Sequence, residues 1–349
     1  MSTTTAWAAA SATSPLAPVT INRREPGPTD VEIDIAYCGI CHSDLHTVRS
    51  DWQGTAYPVV VGHEIVGRVV SVGSDVTRHK VGDLVGVGCL VDSCGECDEC
   101  RAGLENYCRR SVGTYNSVDP HGTEPRTYGG YSGRIVVTER FVVRVPEGLD
   151  PAAAAPILCA GITLYSPLRH FGAGPGVQVG IAGFGGLGSM GVKLAKALGA
   201  EVTAITRTDR KASEALKAGA DNVLVSGDRT AMRAAGRSLD LIVSTIPSTH
   251  DVNPYLRLLR RDGTYVVVGA VEPLQDAVDA RFLIGSRLRL AGSMIGGLPE
   301  TQEVLDFCAE HGIASDVEVI GVEGINAAYD RLSAGDPGFR FVIDMSTLT

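Results

Sequence analysis

Apolar residues are spaced in two different ways along this chain. Over the first 150 positions they fall in short runs broken by Gly and Pro. Val31 to Ile35 alternates as a half-buried strand does, and Val59 to Val72 reads as a strand interrupted around Gly62. This stretch predicts a small β-rich domain with long loops. After Pro151 the rhythm changes. Val177 to Ala182 is a short apolar run ending in glycines, and a helical pattern follows through Gly199. Glu201 to Thr206 reads as strand and Asp209 to Ala218 as helix. Further apolar runs occur at Asn222 to Val225, Leu239 to Ser244, Thr264 to Gly269 and Leu288 to Ser293, with helix-like stretches between most of them. Six short strands alternating with helices predict a six-stranded, doubly wound parallel sheet, an α/β fold. Past Gly297 the pattern breaks, and Phe339 to Met345 predicts one more strand. That tail is expected to return to the β-rich part, so that residues 1–157 and 297–349 form one domain and 158–296 the other.

Composition narrows the function classes. Hydrophobic residues make up 44% of 349, enough for full cores and too many for a disordered chain. The net charge of -9 disfavours a nucleic acid partner, because phosphate binding wants clustered Lys and Arg. Aromatics at 5% leave no base-stacking platform. The longest uncharged stretch, Pro151 to Leu168, contains Pro156, Gly161 and Pro167, and reads as a buried crossing between domains rather than a membrane span. The first basic residue is Arg23 and no charged start precedes an apolar run, so no secretory leader is expected. Nine cysteines, an odd number, then argue for metal binding in a reducing cytoplasm rather than a disulfide framework.

Four of those cysteines, Cys94, Cys97, Cys100 and Cys108, lie in one run of short loops. Thiolates at that spacing converge on one tetrahedral ion, and zinc is the natural occupant. Gly183-Phe184-Gly185-Gly186-Leu187-Gly188 is a G-x-G-x-x-G between a predicted strand and a predicted helix, the context a dinucleotide site requires. The next strand ends in Thr206-Arg207-Thr208-Asp209-Arg210-Lys211. An NAD site usually carries an acid there for the ribose 2′-OH; cations and hydroxyls suit a 2′-phosphate instead. NADP(H) is expected, with Arg207 as main contact, Arg210 or Lys211 in support, and Asp209 as N-cap of the following helix.

Cys41-His42-Ser43-Asp44-Leu45-His46, then Gly62-His63-Glu64, then Cys159 are further candidates. Spacing alone does not join these three groups into a site: Cys159 reads equally as a small buried hydrophobe and His63 as a satisfied core histidine.

The segments G-I-C-H-S-D-L-H, P-V-V-V-G-H-E-I-V-G, the four-cysteine run, L-C-A-G-I-T-L-Y-S-P-L, A-G-S-M-I-G-G-L-P-E-T-Q-E and F-R-F-V-I-D occur in this order over nearly the whole chain. Together they resemble the zinc-dependent medium-chain alcohol dehydrogenases, most closely the cinnamyl alcohol dehydrogenase branch with its bacterial NADP-dependent aldehyde reductases. The resemblance implies a GroES-like zinc domain beside a Rossmann domain. It implies a catalytic zinc on Cys41, His63 and Cys159, with Glu64 able to enter the coordination sphere, and a structural zinc on the four-cysteine run, two ions per chain. Asp44 matches the carboxylate that orients the histidine ligand. Ser43 matches a group that contacts the substrate oxygen and passes a proton through the nicotinamide ribose toward His46, with Asp51 at the outer end. Thr163 and Arg340 match cofactor contacts, Arg340 toward the pyrophosphate. Trp52, Met294 and Ile295 match an apolar substrate pocket.

Two departures stand out. Gly113 stands where plant enzymes carry an aromatic, which is expected to enlarge the pocket, and Ser189 replaces a histidine often found after the Gly-rich loop. The reaction implied is reversible hydride transfer between NADPH and aromatic or medium aliphatic aldehydes, giving primary alcohols. The rivals are a polyol or secondary-alcohol dehydrogenase, a zinc-free quinone reductase, a C=C or C=N reductase, and a zinc-stabilised protein without turnover. A homodimer is expected, with Leu288 to Ser293 as a sheet edge that pairs across a two-fold axis.

Overall fold

The computed structural model describes residues 2–122, 124–269, 272–274, 277–335 and 339–348. The chain divides into two compact units, Met1–Cys159 with Gly297–Thr349, and Ala160–Gly296.

In the first unit the central strand is Asp30–Gly39. Ile65–Val72 pairs with it on one edge; Arg134–Thr138 and Arg340–Asp344 pair with the two halves of the other, all antiparallel. The sheet continues through Leu84–Val87 and Val143–Arg144 on one side and through Val317–Gly321 on the other. Val31, Ile33 and Ile35 are buried at the period of two that their alternation predicts. A hairpin, Ser2–Ala9 with Leu16–Arg23, forms a separate two-stranded sheet.

The strand expected from Val59 begins only at Ile65. Residues 59 to 64 are buried but lie outside the ladder. Their backbone groups bond to Ala9, to Gly129–Tyr131 and to Gly39. An apolar run records burial, and here burial comes without strand pairing.

The second unit is one parallel sheet of β1 (Gln178–Ala182), β2 (Glu201–Thr206), β3 (Asn222–Val225), β4 (Leu239–Ser244), β5 (Leu259–Val267) and β6 (Arg289–Gly292), in the order β3-β2-β1-β4-β5-β6. The order reverses between β1 and β4, and such a switch point opens the crevice where dinucleotides bind. Strand β5 starts five residues before the predicted Thr264. Its first part, Leu-Arg-Arg-Asp, reads as polar, and the register on β4 shifts from Leu239↔Leu259 to Leu241↔Thr264. The helix expected over 209–218 is a 3-10 turn, Asp209–Lys211, followed by the short helix Ala212–Lys217. Thr208 occupies the N-cap position, so Asp209 is the first residue of the turn and not its cap.

Among the described residues no single helix is long and apolar enough to cross a membrane. The apolar pair Pro151–Leu158 and Ala160–His170 is bent by 54° and mostly buried.

Candidate active site

The helix His42–Arg49 starts immediately after Cys41, which takes the extended conformation of an N-cap. Three residues on, Asp44 turns back, and its Oδ2 accepts from the Cys41 backbone N–H at 2.8 Å. The same carboxylate accepts from Gly62 N at 3.1 Å and from His63 Nδ1 at 2.9 Å. One fully buried acid therefore fixes two remote segments of chain. Cys159 follows the 3-10 turn Ala155–Leu158 and brings its sulfur 4.0 Å from Cys41 Sγ and 3.2 Å from His63 Nε2. Ligand atoms of Cys41, His63, Glu64 and Cys159 all lie within 4.8 Å of one another. Zn–S bonds of about 2.3 Å at the tetrahedral angle put sulfurs about 3.8 Å apart, so this set fits a zinc ion. With Nδ1–H given to Asp44, the Nε2 lone pair of neutral His63 is directed at the shared centre.

Electrostatics agree with a site built for a cation. Burial works to push His63 down, but Asp44 overrides it and holds the imidazole well above its ordinary range. The two thiols share one proton: hydrogen bonding from Cys159 holds Cys41 well below the usual thiol range, and Cys159 is raised in turn. Burial pushes the Glu64 carboxyl up to about 7, against the attraction of Arg340. Arg340 hydrogen-bonds Glu64 Oε1, while Glu64 Oε2 is buried without a partner. An orphaned carboxylate oxygen beside three ligand atoms is the kind of donor a metal would satisfy. Arg340, expected toward a pyrophosphate, has its guanidinium on this acid.

The four-cysteine run closes on itself. Cys94 and Cys100 sulfurs are 3.8 Å apart, and all four sulfurs lie within 4.8 Å. Backbone N–H groups of Cys97 and Arg110 point at Cys94 and Cys108 sulfurs at 3.4 and 3.3 Å. Four thiolates leave no open position, unlike the three-ligand set. Further along the loop, Glu105 caps the helix Leu298–His311, accepting from Leu298 N at 3.0 Å.

On the first helix Ser43 Oγ lies 3.7 Å from the Cys41 sulfur. One turn on, His46 Nδ1 meets Asp51 Oδ2 at 2.7 Å, and the Trp52 ring lies 5.4 Å from the imidazole. Trp52 is 46% exposed. Gly113 lies in a two-residue strand, and its N–H donates to Ser117 Oγ at 2.9 Å. A Cβ at Gly113 would come 3.0 Å from that hydroxyl. Met294 is exposed, and the β-branched Ile295 beside it takes a φ of +40°, a conformation costly enough to need support from its surroundings.

In the second unit the Gly-rich turn opens the helix Gly186–Ala197, with Gly185 as N-cap and no side chain capping it. Gly183 has a φ of +91°, and a Cβ at Gly188 would strike the Gly183 carbonyl at 2.1 Å. A Cβ on Gly185 would meet nothing within 4 Å. The turn is thus locked internally and clear outside, which suits a pyrophosphate laid on free N–H groups, Leu187 among the residues of that first turn. Arg207 and Arg210 are exposed beyond β2, Thr206 is buried with its hydroxyl on the Thr208 carbonyl at 3.1 Å, and Lys211 is paired to Glu214 at 2.8 Å. Ser189 is buried in the same helix, and Thr163 is buried on Ala160–His170.

Sequence reasoning singled out neither Tyr131 nor Tyr329. The Tyr131 hydroxyl reaches Asp44 Oδ2 at 3.4 Å and Tyr329 reaches Tyr131 at 3.3 Å, both fully inside the first unit. Nothing local marks a tyrosine 87 residues from its acid as belonging to a metal site.

A reversed-order parallel sheet with a Gly-rich first turn, in a chain whose other unit carries one three-ligand and one four-thiolate set, defines a zinc-binding dehydrogenase. The comparisons agree. Residues 27–147 match the alcohol dehydrogenase GroES-like domain and residues 186–310 the zinc-binding dehydrogenase domain. The chain is 56% identical over 341 residues to the aldehyde reductase YahK of Escherichia coli (strain K12), covering 97% of each chain. It superposes on a cinnamyl alcohol dehydrogenase from Sorghum bicolor with a TM-score of 0.96 at 45% identity, covering 100% of this chain and 99% of that one. It superposes on the CAD from Helicobacter pylori complexed with NADP(H) at 0.93 and 40%, covering 99% of each. The chain belongs to the medium-chain, zinc-binding alcohol dehydrogenase family.

Proposed function

We propose that this protein is an NADP(H)-dependent aldehyde reductase, running reversibly as an alcohol dehydrogenase. The observation that carries the reading is the convergence of Cys41, His63 and Cys159 beside a carboxylate with a free oxygen. It is supported by relatives named for aldehyde reduction and by cations, not an acid, at the end of β2. When bound, zinc on these three ligands supplies Lewis acidity for a carbonyl, and the reduced nicotinamide supplies hydride. Asp44 keeps His63 in the tautomer that ligates. Ser43 Oγ, next to Cys41, is the proton donor to the nascent alcohol oxygen. His46, with Nδ1 on Asp51, is the outer proton reservoir. Arg207 and Arg210 hold the 2′-phosphate.

We read the two metal sets as two zinc ions per chain, one catalytic and one structural. Aromatic and medium aliphatic aldehydes are the substrate class. A homodimer joined through β6 is supported by that strand's position at the sheet edge and by its largely exposed residues. Nine free cysteines among the described residues suit the reducing cytoplasm.

The deciding measurement is steady-state kinetics on a panel of aldehydes, ketones and polyols with NADPH and NADH, beside metal analysis. Highest kcat/KM for aldehydes with NADPH and two zincs per chain is expected. Preference for polyols or ketones, or metal only at the four cysteines, would sink the reading.

A further inference from the structure

The loop that carries His63 owns no place in a sheet, so its backbone partners decide where the imidazole stands. Val59 exchanges both its bonds with Ala9 at 3.0 Å. Beyond it, the carbonyls of Val60, Val61 and Gly62 accept from Gly129, Tyr131 and Gly130 at 2.8, 2.9 and 2.9 Å. Gly62 has a φ of +106°, and a Cβ there would strike the Tyr131 ring at 2.6 Å and Gly130 N at 3.0 Å. The two segments interlock with no slack. The histidine loop therefore goes where residues 129 to 131 go.

Trp7 N donates to the Tyr131 carbonyl at 2.8 Å, and the remaining side of this segment, residues 128, 129 and 132, is held by Arg23, at the end of the hairpin strand Leu16–Arg23. Its guanidinium donates to the Tyr128 carbonyl at 2.8 Å, the Gly129 carbonyl at 3.0 Å and Ser132 Oγ at 2.8 Å. Ser132 Oγ donates in turn to the Gly129 carbonyl at 2.8 Å. No carboxylate hydrogen-bonds Arg23 among the described residues, and its Nε is buried without a partner. Burial pushes this guanidinium down to about 10. A cation kept in such a place against its solvation preference is worth retaining for its fork of donors, which a lysine does not reproduce.

We propose that Arg23 is a positioning residue for the metal-binding histidine, its guanidinium fixing the 128–132 segment from which the His63 loop hangs. The inference rests on the metal site proposed above. It adds a requirement that no ligand of that site reveals: the imidazole is held on one side by Asp44 and on the other, through backbone, by a hairpin arginine 40 residues earlier in the chain (63 − 23).

A solvent-open recess lies against Arg23, lined also by Asn22, Arg24, Thr127 and Tyr128, which gives the test its handle. Zinc-loaded wild type, Arg23→Ala and Arg23→Lys are mixed with a chromophoric chelator, and zinc loss from the two sets is followed separately. Arg23→Ala is expected to lose the His63-site zinc about tenfold faster, as partners behind a ligand do when removed, while the four-cysteine zinc keeps its wild-type rate. Guanidinium ion at millimolar concentration should slow that loss again, where equal sodium chloride or urea does not. Arg23→Lys should fall between, and it serves the same comparison if the alanine variant does not fold. Equal acceleration at both zinc sets, or wild-type exchange in the lysine and alanine variants, would overturn the role of Arg23 alone. A wild type with zinc only at the four cysteines would overturn the site and this inference together.

Discussion

Arg340 and Glu64 stand 276 residues apart in sequence and form a buried ion pair at the edge of the proposed catalytic metal site. The pair joins Arg340 Nη2 to one acid oxygen and leaves the other oxygen, and Arg340 Nε, without hydrogen-bond partners. Removing one member of a buried pair strands the other charge. Arg340→Met is therefore expected to cost about 3–5 kcal/mol in urea unfolding, and Arg340→Met with Glu64→Gln to recover most of it. Additive losses in the double variant would contradict the pairing.

The same acid sets a pH dependence in the metal-free protein. Glu64 is raised in the folded state from 4.5 to about 7, so the native protein binds this proton more tightly than the unfolded chain does. Its contribution to stability is present below pH 4.5 and is lost as pH rises to about 7. Glu64→Gln should flatten that slope in unfolding free energy measured from pH 4.5 to 7.5, an interval set by the shift itself. A slope unchanged by the substitution would assign it elsewhere.

Cofactor choice should reside in Arg207. Arg207→Asp removes a charge-assisted contact of about 2 kcal/mol, which is about thirtyfold in the NADPH/NADH ratio of kcat/KM. An unchanged ratio would move 2′-phosphate recognition away from the end of β2.

In the proposed mechanism His46 and Asp51 form the outer part of the proton path. His46→Ala is expected to lower kcat about 100-fold at neutral pH and to change the pH profile of kcat with little effect on KM. Asp51→Asn, which keeps a partner near Nδ1, should do less. A full-rate His46→Ala enzyme would remove the path.

Zinc bound to the four-cysteine set would take no part in the proposed chemistry, and the loop that would hold it also caps the helix Leu298–His311 through Glu105. Cys100→Ser should lower the unfolding midpoint by about 5–10 °C, the effect of about 2–3 kcal/mol on a domain of this size. With the variant kept well below its midpoint, kcat should equal that of the wild type.

Local chemistry was readable where function is local. The turn Gly183 to Gly188 shows itself because strand, glycines and helix adjoin in sequence, and the four cysteines because their loops are short. Cys41, His63 and Cys159 came together only through resemblance, since 22 and 96 residues separate them (63 − 41, 159 − 63) and nothing between them signals convergence. Apolar patterning and strand pairing part company twice, in opposite senses. Val59 to Gly62 is apolar yet leaves the sheet, whereas Leu259 to Asp262 is polar yet joins it. Asp209 looked like a cap because an acid before a helix usually is one; the intervening 3-10 turn moved the cap to Thr208. Arg23, Tyr131 and Arg340 act across the fold, and no periodicity encodes that.

The wide separation of Glu64 and Arg340 has a consequence during biosynthesis. At about 5–20 residues per second, roughly 14–55 s pass between the emergence of the acid and that of its arginine. For the last 181 residues of that interval (340 − 159) the three ligands up to Cys159 are already made, while the carboxylate beside them lacks its counter-charge and has every reason to stay in water. A nascent chain can thus hold all its zinc thiolates before it can close the pocket around them, and the growing peptide, rather than the finished protein, is the form in which this centre is most open to capturing the wrong metal.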